Sequence, residues 1–253
     1  MQTKTILIDS VVTEYIVSDV FDIHKNVCVF LHGWGQDCNS FQTILDKMEL
    51  GDMSFVSLSF PGFWKTWYLG QDATIYDYAD FTQKFLEKLH ISKPLLIGHS
   101  FWWRVSLILA SEYAKTTQVV LIWSAGILPH KSKIKRYITR IWKHIFSLPW
   151  LKKIWAQIKS SLGSSDYNSA WKLSELFKNI VNQDLSYLFP TIEIPTLLIW
   201  WSHDDQTPIK DAHQMHAEII GSQLEIFEDA DHFVFQQKSD EVFELIKKFN
   251  SCL

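Results

Sequence analysis

Pro94-Leu95-Leu96-Ile97-Gly98-His99-Ser100-Phe101-Trp102-Trp103 is the most informative stretch of this chain. A short apolar run ends in Gly98-x-Ser100, and an apolar helical stretch, Val105 to Ala110, begins almost at once. Strand, tight turn and helix in that order make a nucleophile elbow, in which the serine hydroxyl is lifted above the edge of a sheet. The last place of the Gly-x-Ser-x-Gly pattern, normally small, holds Trp102, and Trp103 follows it.

On either side of the elbow the same alternation continues. Strand-like runs occur at 4–8, 11–18, 27–31, 54–59, 94–98, 118–123, 196–200 and 223–227, and helical patterns at 40–49, 75–90, 103–114, 209–219 and 239–250. Tyr78, Phe81, Phe85 and Leu89 recur at helical spacing with charges opposite, the mark of an amphipathic helix on a core. Two N-terminal strands and then strand–helix alternation predict an α/β protein with a mostly parallel central sheet flanked by helices on both faces. Continuous apolar strands such as Val27-Cys28-Val29-Phe30-Leu31 and Thr196-Leu197-Leu198-Ile199-Trp200 fit burial on both sides. The alternation breaks between Pro129 and Pro195, so residues 1–128 and 192–253 are expected to form the core and 129–191 a helical cap.

Length and composition narrow the function. The 253 residues, 47% hydrophobic and 21% charged, suffice for one large core with an inserted subdomain. A net charge of −4 gives no reason to expect nucleic acid as a partner. No apolar run reaches the ~18 residues of a membrane span, and Met1 to Asp9 alternates like a strand without a signal-peptide core; a cytoplasmic protein is the expectation. From Lys131 to Lys159 there are nine Lys or Arg and no Asp or Glu. A solvated helical face is the plainer reading of that run, and weak association with a membrane surface through the basic cap the sharper one. Cys28, Cys38 and Cys252 make no disulfide framework, Cys28 falls in an apolar strand, and the His and Cys residues lack metal-ligand spacing, so no metal is expected.

Four pieces at strand exits carry the chemistry, where an open parallel sheet places its site. Ser100 is the candidate nucleophile. His32-Gly33-Trp34-Gly35 follows the strand at 27–31, and its glycines let the backbone turn sharply; the amides of Trp34 and Phe101 are the candidate donors to a tetrahedral oxyanion. Asp204, with Asp205 as its rival, follows the strand at 196–200, where a carboxylate can orient a histidine, although Asp in such a place is also common as a turn residue. His232, after the strand at 223–227, can take the serine proton and return it to the leaving group. His203, His213 and His216 are weaker candidates, the last two on a helical pattern that points to the surface. Ser, Asp, His in that chain order on alternating strands is a recognised order for this triad.

His32-Gly33-Trp34-Gly35, Phe60-Pro61-Gly62-Phe63, Gly98-His99-Ser100-Phe101, Asp204 with Thr207-Pro208, and His232 together resemble the serine-nucleophile branch of the α/β-hydrolase superfamily over essentially the whole chain. The resemblance implies a sheet of about eight strands with a helical cap, no cofactor, and hydrolysis through an acyl-enzyme. It implies Ser100 as nucleophile, His232 as base and acid, Asp204 as orienting acid and the Trp34 and Phe101 amides as oxyanion donors. Relatives with an Asp nucleophile are disfavoured, since the elbow carries Ser.

The leading expectation is a serine hydrolase for a small-molecule ester or related acyl substrate. A carbon–carbon bond hydrolase or a small aminopeptidase would use the same triad. Trp142, Trp150, Trp155 and Trp171 in the cap suggest an apolar or aromatic group, though core packing accounts for them equally well. Similar sequences carry glycine where this chain has Trp64, Trp102, Trp103 and Trp201, while Gly numbers nine and Trp twelve, against a usual Gly share of ~7%. The one-way exchange predicts that these four are UGA codons translated as Trp where the source reads Gly. If the indoles are genuine, the steric expectation is a blocked or distorted site, and a non-catalytic ligand-binding member becomes the competing reading.

Overall fold

The computed structural model describes residues 1–51, 53–63, 69–70, 72–113, 116–122, 176–177, 179–202, 208–228 and 234–251. Its strands are β1 (Gln2–Ile8), β2 (Val11–Val17), β3 (Cys28–Leu31), β4 (Phe55–Leu58), β5 (Leu95–His99), β6 (Gln118–Ile122), β7 (Thr196–Trp201) and β8 (Gln223–Phe227). They form one sheet in the order β1-β2-β4-β3-β5-β6-β7-β8. β2 runs antiparallel to β1 and β4, and all other neighbours are parallel. Each strand read from the sequence is present, with ends that agree to within a residue or two.

Burial follows position in this order. β3, β4, β5, β6 and β7 are buried at every residue, whereas the edge strands β1 and β8 are largely exposed. The alternation of strand side chains divides the core in two. Val29, Leu31, Leu96, Val119, Leu121, Leu198 and Trp200 face one side, and Cys28, Phe30, Leu95, Ile97, Val120, Ile122, Ile199 and Trp201 the other.

The first side is covered by α2 (Ile75–Lys88), α3 (Trp103–Ser111) and α4 (Ile209–Glu218), the second by α1 (Gln42–Leu50), the short α5 (Val234–Gln237) and α6 (Ser239–Asn250). α2 begins at a capping box: the Asp77 amide donates to Thr74 Oγ1 and the Thr74 amide to the Asp77 carboxylate, which satisfies two otherwise orphaned donors. Its buried Ile75, Tyr78, Ala79, Phe85 and Leu86 repeat at helical spacing against the sheet.

Most of the expected cap, with the basic run and its four tryptophans, lies outside the described residues. Leu176, Phe177, Leu188 and Phe189, from its end, pack on the α2/α3 side of the core. Among the described residues no helix is long and apolar enough to cross a membrane.

Candidate active site

β5 lies between β3 and β6, in the middle of the sheet. At its carboxyl end the chain turns into a single 3-10 turn, Ser100–Trp102, and then into α3. Ser100 sits in that turn at φ +53°. A non-glycine residue there is strained by about 1–2 kcal/mol, and such strain persists only where the surroundings impose it. The imposing contact is visible at Gly98: a Cβ on it would lie 2.5 Å from Ser106 Oγ and 2.9 Å from the Cα of Trp103. Strand and helix backbones therefore approach as closely as atoms allow, and Ser100 has to reverse the chain within this space. It remains partly exposed.

The turn after β3 stands beside the elbow, because β3 and β5 pair in parallel with Leu31 opposite Gly98. His32 is fully buried. Its Nε2 accepts from the Phe60 amide at 3.0 Å and its Nδ1 lies 2.7 Å from the Gly33 carbonyl; the proton is thus on Nδ1 and donated to Gly33. Burial pushes its pKa down to about 4, against weaker opposing effects of the Gly33 hydrogen bond and the Asp37 charge, so the ring is neutral at pH 7. His32 is a neutral brace for the turn, its one ring proton held by the Gly33 carbonyl.

The side chains of the two expected oxyanion residues meet: the Trp34 and Phe101 rings are 4.7 Å apart. Trp34 also packs on Phe63 and Phe177, each at 4.8 Å, and Phe177 stacks on Phe101 at 5.2 Å. Four aromatic rings thus gather beside the elbow.

Trp34 and Phe101 meet through their rings, and Phe101 follows Ser100 in the elbow turn. Asp204, its rival Asp205, His203 and His232 lie outside the described residues; the strands that lead to them, β7 and β8, run parallel to β5 and end on the same sheet edge. His213 and His216 are exposed on α4, and His216 bonds Ser222 at 2.9 Å, consistent with surface roles. The Cys28 thiol is buried and pushed up to about 12, that of Cys38 to about 11, both chiefly by burial. Among the described residues no His, Cys, Asp and Glu group is arranged to hold a metal.

The tryptophans in the elbow depart from expectation in one respect. The turn does not have to contain the indole of Trp102, which points out of it into the core and is fully buried. It stacks on Phe60 at 4.2 Å and contacts Tyr78 at 4.5 Å, Phe101 at 5.0 Å and Phe63 at 5.7 Å. Its Nε1–H, however, has no hydrogen-bond partner among the described residues, a cost of about 1–3 kcal/mol for a buried donor. Trp103 and Trp201 are buried on opposite faces of the sheet; Trp64 lies outside the described residues.

The sequence reading missed two residues. Arg104 is fully buried, its guanidinium 5.3 Å from the Phe101 ring and 5.2 Å from that of Trp103, with Nη1 donating to the Phe101 carbonyl at 3.3 Å. Gln36 joins the turn after β3 to the elbow. Nothing in the linear pattern distinguishes either from a surface residue.

Residues 28–245 match the model of a family described as alpha/beta hydrolases. The chain belongs to the alpha/beta hydrolase family. An uncharacterized protein of Mycobacterium bovis is 22% identical over 212 residues, 70% of this chain and 62% of that protein, so the chain spans less than two thirds of the length of that relative. A proline iminopeptidase of Lactobacillus crispatus is 22% identical over 264 residues, 89% of this chain and 90% of its own. Among solved structures, an esterase from Exiguobacterium antarcticum superposes with a TM-score of 0.73 at 18% identity, over 99% of this chain and all of that one (100%). That likeness is one of fold, and within this alpha/beta hydrolase the reaction has to be argued from the site.

Proposed function

We propose that this protein is a serine hydrolase that cleaves a carboxylic ester or related acyl compound through an acyl-enzyme. The observation that carries the proposal is Ser100 at φ +53°, on the turn that ends the central strand. A strained residue is retained where position matters more than stability, and this position presents a hydroxyl at the sheet edge where parallel sheets bind ligands.

In the proposed reaction Ser100 Oγ attacks the acyl carbon while His232 accepts its proton. Asp204 holds the imidazole in the required tautomer, and the amides of Trp34 and Phe101 receive the oxyanion. His232 then protonates the leaving alcohol, and water attacks the acyl-enzyme by the reverse proton path. The rings of Trp34, Phe63, Phe101 and Phe177 form an apolar wall beside the serine and favour an apolar or aromatic acyl group.

The test is a fluorophosphonate probe followed by p-nitrophenyl esters of graded chain length. The expected result is covalent labelling that Ser100→Ala abolishes, with faster turnover of longer acyl groups. A folded chain that takes no probe contradicts the reading and favours a non-catalytic binder. The proline iminopeptidase relative supports a second reading, an aminopeptidase; release of p-nitroaniline from proline p-nitroanilide with no esterase activity would favour it.

A further inference from the structure

The turn after β3 is held more tightly than a strand exit requires, and the residue that holds it is Gln36. Its Oε1 accepts from the Gly33 amide at 2.8 Å and lies 3.2 Å from His99 Nδ1. A carbonyl oxygen has no proton to give, so His99 is the donor. One atom of Gln36 therefore bridges the turn that carries Trp34 to the residue immediately before Ser100. The junction has no spare room: a Cβ on Gly33 would lie 2.8 Å from His99 Nδ1 and 2.9 Å from Gln36 Oε1.

The backbone of Gln36 completes the clamp. Its amide donates to the Gly33 carbonyl at 3.2 Å, and His32 Nδ1 donates to the same oxygen at 2.7 Å. That carbonyl shares a peptide plane with the Trp34 amide, and in a trans peptide the two point in opposite directions. Fixing the Gly33 oxygen from two sides therefore fixes the direction of the Trp34 N–H. The His99 ring is itself held, buried against Phe41 at 6.0 Å and Phe235 at 4.6 Å, so the clamp is anchored to a rigid element.

We infer that Gln36 is a positioning residue that locks the Trp34 amide in register with Ser100 and so preorganises the oxyanion pocket. The inference rests on the serine-hydrolase reading. Preorganised donors act without reorganising during the reaction, and a misplacement of about 1 Å in such a site costs on the order of 100-fold in rate.

Gln36→Met keeps the length of the side chain and removes the acceptor, whereas Gln36→Glu keeps an acceptor. Three quantities distinguish positioning from mere structural support: kcat and KM for p-nitrophenyl butyrate, the rate of fluorophosphonate labelling, and amide exchange at Gly33 read by NMR. The chain is assayed as translated and with glycine at 64, 102, 103 and 201, and the more active form is the reference. Gln36→Met is expected to lower kcat roughly 10- to 100-fold at nearly unchanged KM, to slow labelling in parallel and to speed Gly33 exchange. Gln36→Glu is expected to recover a large part of each. Reference kcat in Gln36→Met, unaltered Gly33 exchange, or a Gln36→Glu as slow as Gln36→Met each overturns the inference. A reference protein that takes no probe overturns the hydrolase reading instead, and with it any catalytic role of the clamp; Gly33 exchange then still reports the clamp as a structural link.

Discussion

Replacing Trp102 by glycine gives an effect whose sign separates two accounts of the elbow. If the indole is the natural residue, Trp102→Gly empties a fully buried site. Losing such a side chain costs about 3–5 kcal/mol, glycine in the turn adds about 0.5–1 kcal/mol, and removing the buried donor returns about 1–3 kcal/mol. The net is a loss of about 0.5–5 kcal/mol. If the codon encodes glycine, the neighbouring side chains were selected around a smaller residue and the indole overpacks them by about 1–3 kcal/mol. The structure agrees with that second account in two ways. The donor lacks a partner among the described residues, and the rings around the indole already meet without it: Phe60 and Tyr78 at 5.9 Å, Trp34 and Phe63 at 4.8 Å, Trp34 and Phe101 at 4.7 Å. We expect Trp102→Gly to raise stability, with a Tm gain of about 2–4 °C per kcal/mol for a chain of this length. We also expect the form with glycine at 64, 102, 103 and 201 to hydrolyse short p-nitrophenyl esters faster than the chain as translated. Urea and thermal unfolding measure the first and steady-state kinetics the second. A destabilised Trp102→Gly, equal turnover of the two forms, or UGG codons at these positions in the coding DNA would refute the reasoning.

Gly98→Ala places a methyl group 2.5 Å from Ser106 Oγ and 2.9 Å from a helix Cα; the hydroxyl can rotate away but the backbone cannot. The expected loss is about 1–3 kcal/mol, with slower labelling of Ser100 because α3 is pushed outward, and a variant with unchanged stability and labelling contradicts the close approach. His32 gives a pH dependence of definite sign. Its folded pKa of about 4 lies below the ordinary value of 6.5, so the native state excludes a proton that the unfolded state binds. The stability this represents is present above about pH 6.5 and is lost as pH falls toward 4, by roughly 3 kcal/mol. Urea unfolding between pH 7 and pH 4.5 should show a shallower decline in His32→Asn, although that variant is weaker throughout; parallel slopes would contradict the assignment.

Much of this architecture was legible along the chain because its signals are local. Buried parallel strands read as unbroken apolar runs, as in Val27 to Leu31 and Thr196 to Trp200, and helices such as α2 show their buried face at fixed spacing. The elbow is local as well, since strand, serine and helix are adjacent in sequence, and Ser100, Trp34 and Phe101 follow from strand exits once a parallel sheet is assumed. What the sequence could not show is how surfaces from different segments meet. Gln36 looks like a turn residue, and its role exists only because Leu31 and Gly98 pair in register and bring His99 beside Gly33. Arg104 lies on an apolar helix, and folding alone places its guanidinium against two rings. The seat of Trp102 shows the same limit. Sequence pattern marks the position as one for a small residue, but the direction of its side chain depends on the space between α2 and the segment around Phe60. The apolar period of a strand or helix is set by neighbours in the chain, whereas strand pairing and the packing between elements depend on a sheet order that places residues distant in sequence side by side. For that reason the fold could be read from the chain, while the link that Gln36 makes between Gly33 and His99 could not.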